Sequence, residues 1–500
     1  MPCEKFLSKC QKIPQIYHRT VHPAETVCCI DDAKSYQNCK IMSAPPRLRF
    51  SSGDETVLDF GEHLVGFFSF QIDVDEYYPD APVRLKIKFA ETPYELSREF
   101  SDYHGALCAG WLQEEIVLCD DPVRYTLPRR YAFRYVKITV LDTAKTVKLC
   151  GFSTDAVTSA DVSRLLPIAC ENEKLQTIDR VAAKTLAECM QAVYEDGPKR
   201  DRRLWLGDFR VQALTDYHTF KNDDLIKRCL YLFAYFWKED DFLPPCIFEK
   251  TVLYDVPYHL VDYALLFAAV LAEYLEHTGD AETARELFPV AKTQIDCHDS
   301  YLDADGIILP DKVEFYFLDH GDIYKQPAAA QGVFLFCLDR FCALASALGE
   351  EKIAEEYREK LEKCRSAAKK RFYCPAEQRF AGSPYSLLTQ AWMVLGGVIG
   401  QTEAQAVMKA AICGAEIRPV SPYAHHYVVE ALCAAGLLAE AKAYILDYWG
   451  GMVERGADTF WEFYDPQNPS ASNYEDDLLN SSCHAWSCSP SYFIRKYFVK

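Results

Sequence analysis

The chain has 500 residues, too many for one ordinary hydrophobic core, so two domains are expected. Hydrophobic residues make up 49%, with 29 Phe, 31 Tyr and 7 Trp, which suffices for a large core plus an aromatic cleft and excludes a disordered chain. A formal charge of −19 repels phosphate backbones and anionic lipid, which excludes nucleic acid and membrane surfaces as partners and favours a neutral ligand.

At the N-terminus, MPCEKFLSKCQKIPQIYHRT has no apolar core of the length a signal peptide needs. No later run reaches ~18 uncharged apolar residues, the length of a membrane span. The 21 cysteines contain no CxxC pair, and Cys229, Cys337 and Cys433 fall on apolar faces where a thiol behaves as a small hydrophobe. Free thiols and a cytoplasmic location are therefore expected.

From about residue 40 to 160 the hydrophobic period is two. Phe68, Phe70, Ile72 and Val74 alternate with Ser69, Gln71 and Asp73, and Val83, Leu85, Ile87 and Phe89 alternate with Arg84, Lys86 and Lys88. Val136, Ile138 and Val140 make a third such face. Half-buried strands separated by Pro, Asp and Gly loops predict an antiparallel β-sandwich as domain 1–165.

After about residue 170 the period becomes 3.6 and stays so. It predicts helices at roughly 172–194, 208–221, 223–237, 258–278, 280–301, 327–348, 351–372, 384–399, 402–413, 422–435, 437–450 and 483–497, which pair into six hairpins in domain 166–500. Gly279, Gly349, Gly400 and Gly436 are placed to end one helix of a hairpin in the left-handed conformation, and Asp280 to cap the next. The spacing between these joints is unequal because long loops interrupt one side, so a closed toroid, an (α/α)6 barrel, is expected rather than an open solenoid. The last helix, ending SYFIRKYFVK, leaves almost nothing after it, so no further C-terminal domain is expected.

The long loops collect the chemistry. Residues 195–208, EDGPKRDRRLWLGD, crowd four carboxylates, four cations and a tryptophan into one loop, and GADTFWEFYDP at 456–466 lies on the last one. In a closed barrel the first and last hairpins are neighbours, so Asp196, Asp201 and Asp208 are expected to face Glu462. Carboxylates gathered around a cavity and tuned by cations are what acid/base chemistry on a sugar requires.

These runs, with NSSCHAWSCSPSYF at 480–493, VLDFGEHLVGFFSFQI and RYAFRYVKITV, resemble the α-L-rhamnosidases of glycoside hydrolase family 78, whose (α/α)6 barrel follows a β-sandwich. The resemblance spans most of the chain from about residue 55. It implies inverting hydrolysis of a terminal α-L-rhamnoside without metal or cofactor, with Asp201 as general acid and Glu462, after Trp461, as general base. The family more often has glutamate where Asp201 stands, and a different placing of the gap in this loop puts Arg202 there, which cannot donate a proton. Asp196 and Asp208 match positions that grip sugar hydroxyls, and Arg200, Trp205, Asp319, Trp461 and His484 complete the expected pocket.

Plainer readings stand beside these. Asp208 can be a helix cap, Trp205 and Trp461 core and Asp319 a turn residue, and the His425–His426 pair, pointing about 100° apart on a helix, suits packing or substrate contact rather than metal ligation. Two other functions remain open: a non-catalytic sugar-binding homologue, and a six-hairpin lyase or glycosidase acting on another deoxy sugar or a uronide, for which the cations near Asp201 would be suited.

Overall fold

A computed structural model describes residues 3–31, 39–74, 81–249, 252–468 and 471–499, with the side chains of Asp31 and Val74 outside that description. Its N-terminal part holds ten strands in one antiparallel network: β1 (Tyr17–Val21), β2 (Glu25–Asp31), β3 (Cys39–Ser43), β4 (Arg49–Phe50), β5 (Glu55–Val74), β6 (Val83–Ala90), β7 (Glu114–Cys119), β8 (Arg124–Thr126), β9 (Tyr131–Asp142) and β10 (Val147–Thr158). The 20-residue β5 is the spine. Its first half pairs with β2 and β9, its second half with β10 and β8, and its register against β9 breaks between Asp59 and Leu64. Gly61 lies in that break at φ 78°, a left-handed conformation that costs glycine nothing.

Alternating residues carry the core as their period requires. Phe68, Phe70 and Ile72 of β5, Val83, Leu85, Ile87 and Phe89 of β6, and Val136, Ile138 and Val140 of β9 share one buried cluster. Lys88 departs from the expected open face and is buried. Its ammonium donates to Arg98 O at 2.6 Å and lies over the Phe100 ring, because the chain after β6 folds back across that face.

The expectation of free cysteines is corrected at one point. Cys29 and Cys39 form a disulfide across the β2–β3 hairpin, where both point to one face two residues out of direct register, with Cα atoms 6.6 Å apart. The other nineteen cysteines are free.

Short helices α1 (Leu7–Cys10) and α2 (Pro93–Ser97) accompany the sheet. Twelve more follow: α3 (Glu173–Cys189), α4 (Leu206–His218), α5 (Asp223–Tyr235), α6 (Val261–Thr278), α7 (Ala281–Cys297), α8 (Pro327–Ala347), α9 (Glu351–Phe372), α10 (Leu387–Leu395), α11 (Gln401–Gly414), α12 (Pro422–Ala434), α13 (Leu438–Glu454) and α14 (Ser489–Phe493), the last continuing as a π-turn to Phe498. All twelve expected helices are present. The last is shorter than its period suggested because Pro490 cannot sit beyond the first helical turn. The one before the 396–397 glycines ends at Leu395, and Gly397 (φ 68°), not Gly400, is the left-handed residue there; Gly400 is extended and caps α11.

Burial alternates along the series. In α9 only Ala354, Tyr357, Leu361, Cys364 and Ala368 are buried, a single stripe, whereas α8 is buried nearly all round. Among the described residues α8 is also the one helix long and apolar enough to cross a membrane, and it is packed inside the protein. The most deeply buried helices touch in order, α4 to α6, α8, α10 and α12, with α12 returning to α4, while α3 meets both α13 and α14. Asp280 caps α7, its carboxylate accepting from Thr283 N at 3.1 Å, as the sequence indicates.

Candidate active site

Residues 196–203 leave α3 as a closed loop. Asp196 N donates to Arg203 O (3.1 Å), and Arg203 N returns a bond to Asp196 Oδ1 (3.0 Å). Inside it, Asp201 and Arg202 are consecutive left-handed residues at φ 65° and 54°, a conformation that costs non-glycine residues of order 1–3 kcal/mol each. What holds them is Arg202, whose guanidinium donates to Pro198 O (2.7 Å) and to Arg130 O of β9's N-terminal side (2.9 Å). Arg202 is thereby turned toward the sheet domain, and the side chain left beside Glu462's partner Arg200 is Asp201.

Glu462 is buried and fully engaged. Arg200 Nη2 donates to both of its oxygens, Tyr474 Oη donates to Oε1 at 2.6 Å, and Ser481 N donates to Oε2 at 3.2 Å. Burial alone would raise its pKa, but the Arg200 charge and these hydrogen bonds hold it down to about 2, so the carboxylate is ionised. The same guanidinium presents Nη1 to Asp201 Oδ1 at 3.5 Å, stacks 4.4 Å over the Tyr474 ring and donates Nε to Leu479 O. Asp201 is half-buried, with Arg203 Nη1 3.9 Å from its Oδ2.

Asp196 and Asp208 are buried near His484, with Nε2 3.7 Å from Asp196 Oδ2 and Nδ1 3.8 Å from Asp208 Oδ1. Burial drives both carboxyls well above the usual range, reinforced at Asp196 by Asp201 and Asp208, and at Asp208 by Glu462 and Asp201. Burial also takes His484 down to about 3, so its ring is neutral at pH 7. Asp208 is not a cap: the cap position of α4 is Trp205, and Asp208 Oδ1 is left without a hydrogen-bond partner, as are His484 Nδ1 and His320 Nε2. Gly207 precedes Asp208 for a steric reason, since a Cβ there would stand 2.4 Å from Tyr263 Cζ.

The remaining expected residues divide. Trp205, half-buried on a two-residue strand paired with Cys246–Phe248, meets Tyr263 edge-on, and Trp461 is buried against Tyr464. Asp319 is used by the backbone: its oxygens accept from Val420 N (2.8 Å), Ser421 N (3.3 Å) and His320 N (2.8 Å), tying its loop to the start of α12. His425 packs on Tyr448, with centroids 3.7 Å apart. Sequence reading missed Tyr474, His320 and Trp486. His320 follows Asp319 in FYFLDHGD and Trp486 lies two residues after His484, so both were within reach; Tyr474, in a loop without periodicity, carried no signal. Among the described residues no His, Cys, Asp or Glu group of three or more is arranged to hold a metal ion.

Residues 23–156 match the glycosyl hydrolase family 78 alpha-rhamnosidase N-terminal domain, and residues 164–498 match the bacterial alpha-L-rhamnosidase 6 hairpin glycosidase domain. The chain belongs to glycosyl hydrolase family 78. Among solved structures it is similar to a rhamnosidase from Klebsiella oxytoca with rhamnose bound, at 37% identity and TM-score 0.95 over 99% of each chain. The fold is shared with the family 78 rhamnosidase of Bacillus sp. GL1, at 21% identity and TM-score 0.76 over 92% of this chain and 49% of that one. It is shared too with the Streptomyces avermitilis alpha-L-rhamnosidase complexed with L-rhamnose, at 15% identity and TM-score 0.72 over 97% and 44%. Among curated proteins none matches. Family 78 membership supports a glycosidase, and the helical region fits the six-hairpin domain.

Proposed function

We propose that this chain hydrolyses terminal α-L-rhamnosides of small glycosides with inversion, Glu462 acting as base and Asp201 as acid. Glu462 takes a proton from the water that attacks the anomeric carbon while Asp201 protonates the departing glycosidic oxygen, so the carbon–oxygen bond breaks as the new one forms on the opposite face. The observation that carries this reading is the Arg200 guanidinium, which meets Glu462 on one nitrogen and Asp201 on the other and so spaces the two carboxylates while keeping the base ionised. The unpartnered atoms of Asp208, His484 and His320 suit sugar hydroxyls, and Trp205, Trp461 and Trp486 suit the apolar ring and methyl faces of a deoxy sugar. Likeness at 37% identity to a rhamnosidase with rhamnose bound supports the choice of sugar.

A uronide is less well served. Arg200 is committed to Glu462, Arg202 to two carbonyls, and Arg203 lies 4.0 Å over the Phe248 ring. A second acid is favoured by one observation: Asp196, held well above the usual range by burial and neighbouring carboxyls, meets the proton donor's requirement of staying protonated. We read the twelve helices as a closed (α/α)6 barrel, supported by the α12–α4 and α13–α3 contacts, on a sandwich of residues 1–165. A cytoplasmic setting is supported by nineteen free cysteines and is checked by cell fractionation. Hydrolysis of a panel of aryl glycosides, with the first-formed anomer read by proton NMR, tests the function. Release of β-L-rhamnose from the α-L-rhamnoside alone supports it, and silence across the panel favours a sugar-binding protein.

A further inference from the structure

Two buried carboxylates of the sheet domain, Glu91 at the end of β6 and Glu95 in α2, touch no part of the pocket described above. They meet the catalytic loop instead. Lys199, one residue before Arg200 and itself buried, donates Nζ to Glu95 Oε2 at 3.0 Å and to the carbonyls of Leu478 (3.0 Å) and Asn480 (3.1 Å), with Glu91 Oε2 at 3.7 Å. Glu91 Oε2 accepts from Ser482 N at 2.6 Å and its Oε1 faces His63 Nε2 at 3.0 Å. Ser481, the residue before it, holds Glu462 at two points, its carbonyl accepting the Glu462 N–H at 2.9 Å and its own N–H donating to the Glu462 carboxylate at 3.2 Å. Helix α2 and the segment after it grip the same region: Tyr94 Oη of α2 donates to Asp477 Oδ1 (3.0 Å), Ala106 N to Tyr474 O (2.9 Å) and His104 N to Asp476 Oδ2 (3.2 Å), over an apolar cluster of Phe100 and Leu112 with Leu478 and Leu479.

The three groups that bond the Glu462 carboxylate are thus tied back to the sheet domain. Arg200 is tied through its neighbour Lys199, Tyr474 through Ala106, and Ser481 through its neighbour Ser482, which donates to Glu91. We propose, resting on the glycosidase reading, that Glu91 and Glu95 are positioning residues of the active site, setting the Arg200 guanidinium and through it the Glu462 carboxylate. A buried ammonium shared by two carboxylates and two carbonyls has one low-energy position, and the adjacent guanidinium inherits it. On this view the sheet domain completes the catalytic site.

The experiment uses the full chain and an aryl α-L-rhamnoside. Glu95→Gln and Glu91→Gln, which keep side-chain shape, are expected to lower kcat tenfold or more with KM changed less than about threefold, since neither residue touches sugar. The acid limb of the kcat/KM profile is expected to move to higher pH as Arg200 loosens its hold on Glu462. Glu95→Asp should recover part of the loss. If a glutamine variant does not fold, Lys199→Met, which lets the two carboxyls share a proton, carries the same comparison. Variants that keep both kcat and the pH profile while the wild type is active overturn the positioning role alone, as do variants that lose only thermal stability. A wild type silent on every rhamnoside overturns the glycosidase reading and this one with it.

Discussion

Arg200 and Glu462, 262 residues apart in sequence, form a buried pair in which one guanidinium nitrogen donates to both carboxylate oxygens. Removing one partner of such a pair leaves an uncompensated charge, which typically costs 3–5 kcal/mol. Here it also changes the base. Arg200→Met removes the strongest influence opposing burial and leaves only weaker ones such as the Tyr474 hydrogen bond, so the Glu462 pKa rises from about 2 toward and above the ordinary value. The wild-type acid limb of kcat/KM is therefore expected well below pH 4 if Glu462 sets it, and that of the variant above pH ~4.5. A limb unmoved by the substitution would remove Glu462 as the group that sets it.

Acid and base are separated by their amides. Glu462→Gln and Asp201→Asn should each lower kcat by roughly 10²–10⁴ with little change in melting temperature, because proton transfer is lost and shape is kept. Asp196→Asn should weaken rhamnose binding as well as rate. Normal turnover by Asp201→Asn beside a dead Asp196→Asn would transfer the acid role to Asp196, whose carboxyl burial already favours protonation.

Tyr474 joins the base through its hydroxyl and the guanidinium through its ring. Tyr474→Phe keeps the stack and deletes a 2.6 Å hydrogen bond, so a several-fold fall in kcat at near-constant KM is expected. Tyr474→Ala removes both contacts and should cost more. Equal effects from the two would show that the hydroxyl carries the whole contribution.

Asp280 reports on the fold rather than the chemistry. Its carboxylate caps α7 and meets Lys227, Thr283 and Tyr274, and despite partial burial these partners depress its pKa. Asp280→Ala should cost about 1 kcal/mol at pH 7, measured by urea denaturation. A depressed carboxylate contributes stability that is complete above its unfolded pKa of about 3.9 and is lost as pH falls through the folded value, so the difference between wild type and variant should shrink in acid.

The architecture was legible because it is periodic. Alternation at two placed Phe68, Phe70 and Ile72 in the sheet core, and repetition at 3.6 placed twelve helices, both being consequences of one buried face per element. Lys88 misled because the segment that covers it comes later in the chain, and Cys29 and Cys39 because a strand register is invisible until the hairpin forms. The loop 195–208 and Glu462 were visible as clusters of charge and carried a resemblance.

What the sequence could not decide is which charge meets which. Asp201 and Arg202 are adjacent and either gap placement fits the family pattern; only the two left-handed residues, with the Arg202 guanidinium drawn onto the Arg130 and Pro198 carbonyls, turn Arg202 away and leave Asp201 beside Arg200. Likewise Asp208 is not a cap and has one carboxylate oxygen without a partner, and Tyr474 reaches Glu462 from a loop with no pattern linking it to the site. Periodicity is a property of neighbours along the chain and survives in the sequence. The pairing of buried charges depends on distances of a few ångström between segments hundreds of residues apart, and only the packed tertiary structure sets those.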